Sequence, residues 1–329
     1  MIRDEDALEY HASLPAGKIA IRPALQVIPM QQGVGKRMTT RASNWLPSAE
    51  LRNSSQHFLR PPLGRRRWPS LITDRRKLGM NALQVVRSSS SSTDFYDMIA
   101  PIYDHHWGCQ FFPEALRQFR RYISPRVPPN ARILDLCCGS GRFAGYLDKA
   151  NYRVTGVDSS RELLAQAAER AAGACLVCAD MSEFQLPELC DVAVCFYNAL
   201  NHARDDKELR RIFGSVASNL VHGGYFLFDI ISERELSYWS GEEYVLSEDM
   251  LYELNYSYAT STRTATCRVR VRSRKEPDYI EAEALSEQRP IHASVIRAGL
   301  RSVGFCVVFI RPFRRTSLDG RLVVLAKRL

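Results

Sequence analysis

The sequence has no long apolar run, and most of it has no excess of charge. A membrane-spanning helix needs about 18 consecutive apolar residues, and no such run occurs, so we expect no membrane insertion. The net charge of +9 falls entirely on residues 1–93, which hold 15 Lys and Arg against 6 Asp and Glu, whereas residues 94–329 hold 30 of each. The basic balance therefore does not indicate a nucleic-acid-binding surface on the later residues, and nucleic acid is not an expected partner.

Cysteine is missing from the first part of the chain. All 9 cysteines lie between Cys109 and Cys306, an odd number spread over expected strands. This distribution favours a reducing compartment over a disulfide framework, because structural disulfides need paired cysteines and an oxidising environment.

Apolar periodicity is missing from residues 1–93, which are rich in Arg, Ser and Pro and include the run Ser88–Ser92. Such a segment cannot bury a core, so we predict a disordered basic leader. Three interpretations stay open: a tail or over-extended gene start, with initiation at Met38 or Met80; a transit peptide, favoured by the acid-poor stretch from Met38 to Arg87; and a basic arm that binds RNA or membrane. We expect a cytoplasmic protein by default, and a mitochondrial or plastid one if the leader is a transit peptide.

Strands and helices alternate in the middle of the chain. An initial helix is expected over 93–107, with Thr93 as its cap, and an amphipathic helix over 113–123. The strands that follow are expected at 132–136, 152–158, 174–180, 190–196 and 224–230, with helices at 141–150, 160–172 and 205–220. This rhythm, with continuously apolar strands, predicts a parallel sheet covered on both faces.

The pattern changes after about residue 240. Residues 240–288 alternate with period two, which predicts three or four antiparallel strands. A helix is expected over 292–304, and a hairpin over 305–311 and 321–327 with its turn at Leu318–Gly320. We therefore predict one domain over 94–329 that carries an inserted antiparallel sheet at 240–288.

The stretch "ILDLCCGSG" joins the first strand to a glycine turn. Gly139 and Gly141 let the backbone bend tightly and let a ligand approach it. Asp135, at the end of the first strand, suits a ligand with a cationic ammonium group, because a carboxylate there is costly without a partner. Asp158 ends the second strand, where a carboxylate can accept both hydroxyls of a ribose.

The stretches "ILDLCCGSG", "VTGVDSS" and "VCADM", in this order, resemble the motif series of class I S-adenosylmethionine-dependent methyltransferases of the small-molecule type. The family usually shows L-D-x-G-C-G-x-G, and Cys137 stands here at the first glycine. The resemblance covers roughly residues 94–329. It implies an α/β fold: a doubly wound, Rossmann-like, seven-stranded sheet with a C-terminal antiparallel hairpin, on which the inserted sheet covers the substrate.

The resemblance also implies S-adenosyl-L-methionine as the cofactor. Asp135 and the glycine loop would hold the methionine end, Asp158 the ribose, and Asp180 and Met181 the adenine. The full set of residues expected to bind the cofactor is Tyr96, Tyr103, Asp135, Gly139, Ser140, Gly141, Asp158, Ser159, Asp180, Met181 and Phe196. No metal is expected, since Cys175 and Cys178 would lie on the third strand, away from Cys190 and Cys195 on the fourth.

The catalytic residues are expected just after the fourth strand. His202 is the candidate base, because its ordinary pKa is near neutrality. The resemblance implies that Phe196 and Tyr197 border the transferred methyl group, and Asn198 is a candidate to orient the substrate. Four alternating arginines over 268–274 form either a solvated face or a grip on an anionic substrate.

We expect methyl transfer to a nitrogen or oxygen of a small-molecule acceptor. An RNA or protein methyltransferase is an alternative, which the neutral balance of residues 94–329 opposes. Two others are a non-catalytic cofactor-binding regulator and an NAD-dependent enzyme, because Gly139 to Ala144 also fits G-x-G-x-x-A.

Overall fold

The computed structural model describes residues 88–89, 92–273, 280–313 and 320–329. Almost all of the predicted leader, and most of the predicted turn at 318–320, lie outside these residues. No helix within the described ranges combines the length and the apolar character needed to cross a membrane.

The elements follow the predicted alternation closely. In chain order they are β1 (Ser88–Ser89), α1 (Ser92–Tyr103), α2 (Cys109–Tyr122), β2 (Arg132–Leu136), α3 (Arg142–Lys149), β3 (Arg153–Asp158), α4 (Arg161–Arg170), β4 (Cys175–Cys178), β5 (Cys190–Cys195), α5 (Asp206–Ser218), β6 (Leu220–Ile231), α6 (Glu233–Leu236), β7 (Gly241–Ser247), β8 (Met250–Ala259), β9 (Thr264–Ser273), β10 (Ile280–Gln288), α7 (Ala293–Ser302), β11 (Phe305–Pro312) and β12 (Arg321–Arg328). A π-helical turn over Asp104–Gly108 joins α1 to α2, and a 3₁₀ turn over Ala199–His202 follows β5.

The main sheet has seven strands in the order β11-β12-β6-β5-β2-β3-β4. Strands β2 to β6 run parallel, while β12 is antiparallel to both β6 and β11. Apolar side chains cover both faces: α5 and α7 pack on one, with Phe213 and Leu300, and α2 and α3 on the other, with Phe119 and Phe143. The predicted doubly wound fold with a C-terminal antiparallel hairpin is confirmed.

The second sheet is built from β7 to β10, which are successive antiparallel neighbours. Its apolar face, with Leu254 and Val269, packs against Phe95, Ile99 and Ile102 of α1. The short β1 adds to its edge, parallel to β10. The helix that precedes the main sheet therefore forms part of the core of the second sheet.

Several local details differ from the sequence predictions: the helix predicted over 93–107 gives way to the π-helical turn at Asp104, and α2 begins at Cys109 rather than at 113. Thr93 is not a cap: α1 begins one residue earlier, and the Thr93 hydroxyl instead donates to the Ser159 hydroxyl oxygen at 3.1 Å. Strand β6 starts at Leu220, before the predicted 224, and its pairing with β5 shifts register where Gly223 adopts a φ of 80°. That glycine lets the strand continue through an irregularity that most residues would not tolerate.

Candidate active site

The glycine loop between β2 and α3 lies at the carboxyl edge of the parallel strands. Gly139 and Gly141 both adopt left-handed backbone angles, with φ of 53° and 73°. A Cβ on Gly141 would lie 2.6 Å from the Cβ of Ala167, so glycine lets α3 start in contact with α4. A Cβ on Gly139 would lie 3.3 Å from the Tyr103 ring, which covers the loop.

The adjacent cysteines act as small residues in this turn. Cys137, at the first glycine position of the motif, adopts a φ of 58°, and its Sγ lies 3.7 Å from the Met181 Sδ. Cys138 is buried against Gly156, and burial raises the pKa of its thiol well above the ordinary value. Both features describe packing, and a buried protonated thiol is a poor nucleophile.

Two carboxyl groups flank the loop at the ends of β2 and β3, the buried Asp135 and the half-buried Asp158. Asp158 accepts hydrogen bonds from the backbone N–H groups of Gly139 (2.8 Å) and Ser160 (2.9 Å), while burial raises its pKa. Asp135 is 4% exposed, and its Oδ2 has no hydrogen-bond partner among the described residues. Burial, and then the charge of Asp158, raise the pKa of Asp135 to about 8. A carboxyl group in this state is suited to a cationic partner.

A buried ionic cluster fastens the π-helical turn to the glycine loop. Asp104 accepts from the Ser140 hydroxyl (2.8 Å), from Arg142 Nε (3.0 Å) and from Arg170 Nη2 (3.3 Å). Burial opposes ionisation, but the Arg142 hydrogen bond and the two arginine charges lower the pKa of Asp104 below its ordinary value. Ser140, predicted to contact the cofactor, is therefore engaged in holding the loop. The sequence had not singled out this cluster, because residues 104, 142 and 170 are distant in the chain.

Tyr96 and Tyr103 project from α1 over the site. Their rings pack edge to face with centroids 5.9 Å apart. The Tyr96 hydroxyl lies 3.0 Å from His202 Nε2. Burial, with Asp158 adding to it for Tyr96, raises the pKa of both phenols, so both stay protonated.

His202 lies between α1 and β10. Its Nε2 is within hydrogen-bond distance of the Tyr96 hydroxyl and of Gln288 Nε2 (3.2 Å), and its Nδ1 lies 3.5 Å from the Ser286 hydroxyl. Burial lowers its pKa to about 4, opposed by a backbone hydrogen bond to Glu287. The imidazole is therefore neutral at pH 7 with its acceptor nitrogen already surrounded by donors, an environment that disfavours a base.

The turn after β5 holds the other predicted catalytic residues. Tyr197 and Asn198 are both left-handed, with φ of 65° and 54°, which costs about 1–2 kcal/mol for each residue. The Tyr197 hydroxyl is buried without a partner among the described residues, and its ring lies 5.5 Å from that of Phe111. Phe196, by contrast, packs in the core against Phe143.

The expected adenine residues lie beside β3 and β4. Asp180 is exposed and accepts from the backbone N–H of Ser182 at 2.7 Å, while Met181 is half-buried against Cys137. Ser159 is half-buried beneath α1. Strands β2 and β3 lie between β4 and β5, so Cys175 and Cys178 are separated from Cys190 and Cys195 as predicted.

The alternating arginines of β9 pair across the second sheet. Arg268 and Arg270 contact Glu283, and Arg272 contacts Glu253. Arg274 lies outside the described residues. For the described three, the ion pairs match the solvated-face interpretation rather than a grip on an anionic substrate.

The strand order, the antiparallel last strand and the acidic ends of β2 and β3 around a glycine loop are features of the fold shared by class I S-adenosylmethionine-dependent methyltransferases. Residues 133–224 match the family described as a methyltransferase domain. Enzymes of this class take the methyl group from S-adenosylmethionine.

Curated relatives carry related names. A dTDP-3-amino-3,4,6-trideoxy-alpha-D-glucopyranose N,N-dimethyltransferase of Streptomyces venezuelae is 26% identical over 31% of this chain and 43% of its own length. A malonyl-(acyl-carrier protein) O-methyltransferase of Pectobacterium atrosepticum is 29% identical over 42% of this chain and 55% of its own. The chain thus spans about half the length of the curated relatives it matches.

Solved structures show the same fold. An S-adenosylmethionine-dependent methyltransferase of Clostridium acetobutylicum aligns with a TM-score of 0.58 and 20% identity, over 71% of this chain and 99% of that one. The sugar N-methyltransferase KedS8 of Streptoalloteichus aligns with a TM-score of 0.58 and 19% identity, over 74% and 98%.

Proposed function

We propose that this protein transfers the methyl group of S-adenosylmethionine to a nitrogen of a small-molecule acceptor. The observation that carries the proposal is the pair of carboxyls, the buried Asp135 and the half-buried Asp158, on either side of the glycine loop. They offer acceptors for an ammonium group and for ribose hydroxyls, and the loop between them lets a ligand approach the backbone.

The residues of the site fit this cofactor. The unpartnered Oδ2 of Asp135 and its raised pKa show a buried carboxyl that lacks a cation, and the ammonium of the methionine end would supply one. Both oxygens of Asp158 already bind backbone N–H groups, yet each keeps a lone pair for a ribose hydroxyl. The remaining parts of the cofactor would be enclosed by Tyr96, Tyr103 and Met181. The bound cofactor supplies an electrophilic methyl group on a sulfonium.

Nitrogen is favoured over oxygen because the nearby candidate base is weak. An alcohol gains from a base that removes its proton, whereas a neutral amine attacks without one. His202, with a pKa of about 4 and two donors at Nε2, cannot take a proton readily at neutral pH. The protein's task is then to hold a neutral amine in line with the methyl group and to exclude water.

A small acceptor is favoured over a macromolecule by the second sheet. The second sheet packs on α1, which lies beside the glycine loop. Its residues Ser286 and Gln288 contact His202, in the turn after β5. We propose that this sheet covers the acceptor. The three described arginines of β9 are engaged in ion pairs with two glutamates, which makes this row of cations less suited to a nucleic-acid backbone.

Calorimetry with S-adenosylhomocysteine tests the cofactor assignment. Asp158→Ala should weaken binding at least tenfold, about 1.4 kcal/mol, through lost ribose contacts and a loosened loop. Asp191→Ala is the matched control, because Asp191 pairs with Arg132 at the opposite edge of the sheet. Unchanged affinity in Asp158→Ala, or tighter binding of NAD, would contradict the assignment.

Transfer of labelled methyl groups to a metabolite extract tests the reaction. The product should carry the label on nitrogen. Labelled hydroxyl products alone would refute the choice of nitrogen, and incorporation only into RNA or protein would refute the small acceptor.

A further inference from the structure

A chain of buried polar side chains runs through the site from an ion pair to Tyr96. Asp229 and Arg321, 2% and 5% exposed, form a salt bridge near the end of β6 and the beginning of β12. Asp229 Oδ1 accepts from the Asn198 backbone N–H at 3.1 Å, and Arg321 Nη2 donates to Asn198 Oδ1 at 2.8 Å. The ion pair therefore holds the left-handed turn at Asn198 by its backbone and its side chain.

These contacts set the orientation of two amide side chains in succession. Because Asn198 Oδ1 accepts from Arg321, its Nδ2 must point the other way, and it donates to Gln288 Oε1 at 2.8 Å. Because Gln288 Oε1 is occupied, its Nε2 faces His202 Nε2. Each amide has one oxygen and one NH₂ group, so fixing one end fixes the other.

The orientation of Gln288 determines the protonation of His202. A donor at Nε2 requires that nitrogen to be the unprotonated one, so the proton of the neutral imidazole sits on Nδ1, which lies 3.5 Å from the Ser286 hydroxyl. An unprotonated Nε2 is also what the Tyr96 hydroxyl needs as its acceptor. The groups that face His202 are Tyr96 from α1, and Ser286, Gln288 and the Glu287 backbone from β10, none of them charged.

We infer that Asp229, Arg321, Asn198 and Gln288 are positioning residues, which act through His202 to hold the Tyr96 hydroxyl in place over the cofactor site. The inference deepens the proposed function and rests on it for the role of Tyr96 at the cofactor. It gives His202 a positional role in place of the predicted base. The same continuous set of hydrogen bonds joins β6, β12 and the turn after β5 in the main sheet to β10 and α1.

Asn198→Asp tests this inference at a residue for which the structure gives no His202 contact. A carboxylate at position 198 still accepts from Arg321 but has no N–H for Gln288 Oε1. The Gln288 amide should rotate to donate to it, which turns Oε1 toward His202 Nε2. An acceptor at that nitrogen favours its protonated form, so the pKa of His202 should rise from about 4 toward the ordinary value of about 6.5. Histidine NMR titration of the full chain without cofactor measures it.

A double-mutant cycle separates the relay from the added charge. In a Gln288→Leu background the carboxylate is still present, but there is no amide to rotate. In that background, the factor by which Asn198→Asp raises the His202 protonation constant should be at least about tenfold smaller than the factor with Gln288 present. An equal rise in both backgrounds would overturn the inference. If Asn198→Asp does not fold, Arg321→Lys is the substitute test, because a single ammonium group cannot bind both Asp229 and Asn198. This variant should also raise the pKa of His202.

Binding of S-adenosylhomocysteine provides the functional readout. Asn198→Asp should weaken it about fivefold, as Tyr96→Phe should, and the double variant should be no weaker than Tyr96→Phe alone. Additive losses would overturn the relay. If wild-type protein fails to bind S-adenosylhomocysteine, the proposed function fails, whereas the His202 titration still decides the relay.

Discussion

Replacing Asp104 by Asn should destabilise the domain by removing the charge at the centre of its buried ionic cluster. Asp104 and Arg142 have side chains only 4% exposed, and Arg170 is 15% exposed. Asparagine keeps the size of the side chain but presents an NH₂ group to two guanidinium groups, so the cations stay buried without a counter-charge. Breaking a buried pair in this way costs about 3–5 kcal/mol.

We expect a loss near 3 kcal/mol, because asparagine can still accept one hydrogen bond and Arg170 can reach toward solvent. Glu188→Gln is the matched control: Glu188 pairs with Arg153, but the two side chains are 56% and 63% exposed. An exposed pair of this kind is worth less than about 1 kcal/mol. Both variants change a carboxylate to an amide, so the difference between them isolates burial.

Urea unfolding at pH 7, followed by circular dichroism, measures both losses. The pH dependence gives a second check, because the pKa of Asp104 is lowered in the folded state. Its contribution is present above the unfolded pKa and is lost as pH falls through the folded pKa, so the gap between wild type and Asp104→Asn should close in acid. A loss no larger than that of Glu188→Gln at pH 7 would refute the reasoning.

The remaining predictions concern the loop and the two shifted ionisable groups. Gly141→Ala should destabilise the protein by about 1–3 kcal/mol more than Gly304→Ala, as measured by thermal melts. Both glycines have a positive φ, but only at Gly141 would the added Cβ lie 2.6 Å from an atom of helix α4. Equal losses would rule out crowding as the cause. Binding of S-adenosylhomocysteine near pH 7 should release about one proton, because a cation lowers the raised pKa of Asp135; calorimetry in buffers of different ionisation enthalpy should lose this signal in Asp135→Asn. Stability should fall as pH drops from about 6.5 to about 4, by about 3 kcal/mol, because the unfolded chain takes up a proton that folded His202 does not. Urea titrations of His202→Gln should show a smaller pH dependence, and an unchanged one would contradict the burial of a neutral imidazole.

Local pattern was enough to predict the main sheet. Continuously apolar strands between amphipathic helices placed β2 and β5 to within a residue, and period-two alternation predicted the second sheet. These signals are short-range, so they survive without knowledge of the fold. The glycine turn and the two acidic strand ends could be predicted for the same reason, because each depends on local sequence position.

What the sequence did not indicate depends on contacts between distant residues. Arg321 and Gln288 carry no local motif. Only the pairing of β12 with β6, and the placing of β10 beside the turn that follows β5, brings them to Asn198. The prediction that His202 is a base depends on the ordinary pKa of histidine, which is near neutrality. Burial beside Tyr96 lowers this pKa to about 4. Burial and long-range pairing are consequences of the whole fold, which sequence spacing does not report.

Helix α1 is attached at two places, and this has a kinetic consequence. Its apolar residues Phe95 and Ile99 lie in the core of the second sheet, while the turn at its end is bound through Asp104 to the glycine loop. Displacing the helix therefore opens the cofactor side and the acceptor side in one event. Under the proposed function, wherever release is slower than chemistry, a single opening rate limits turnover for acceptors of different reactivity, and both products leave through the same step.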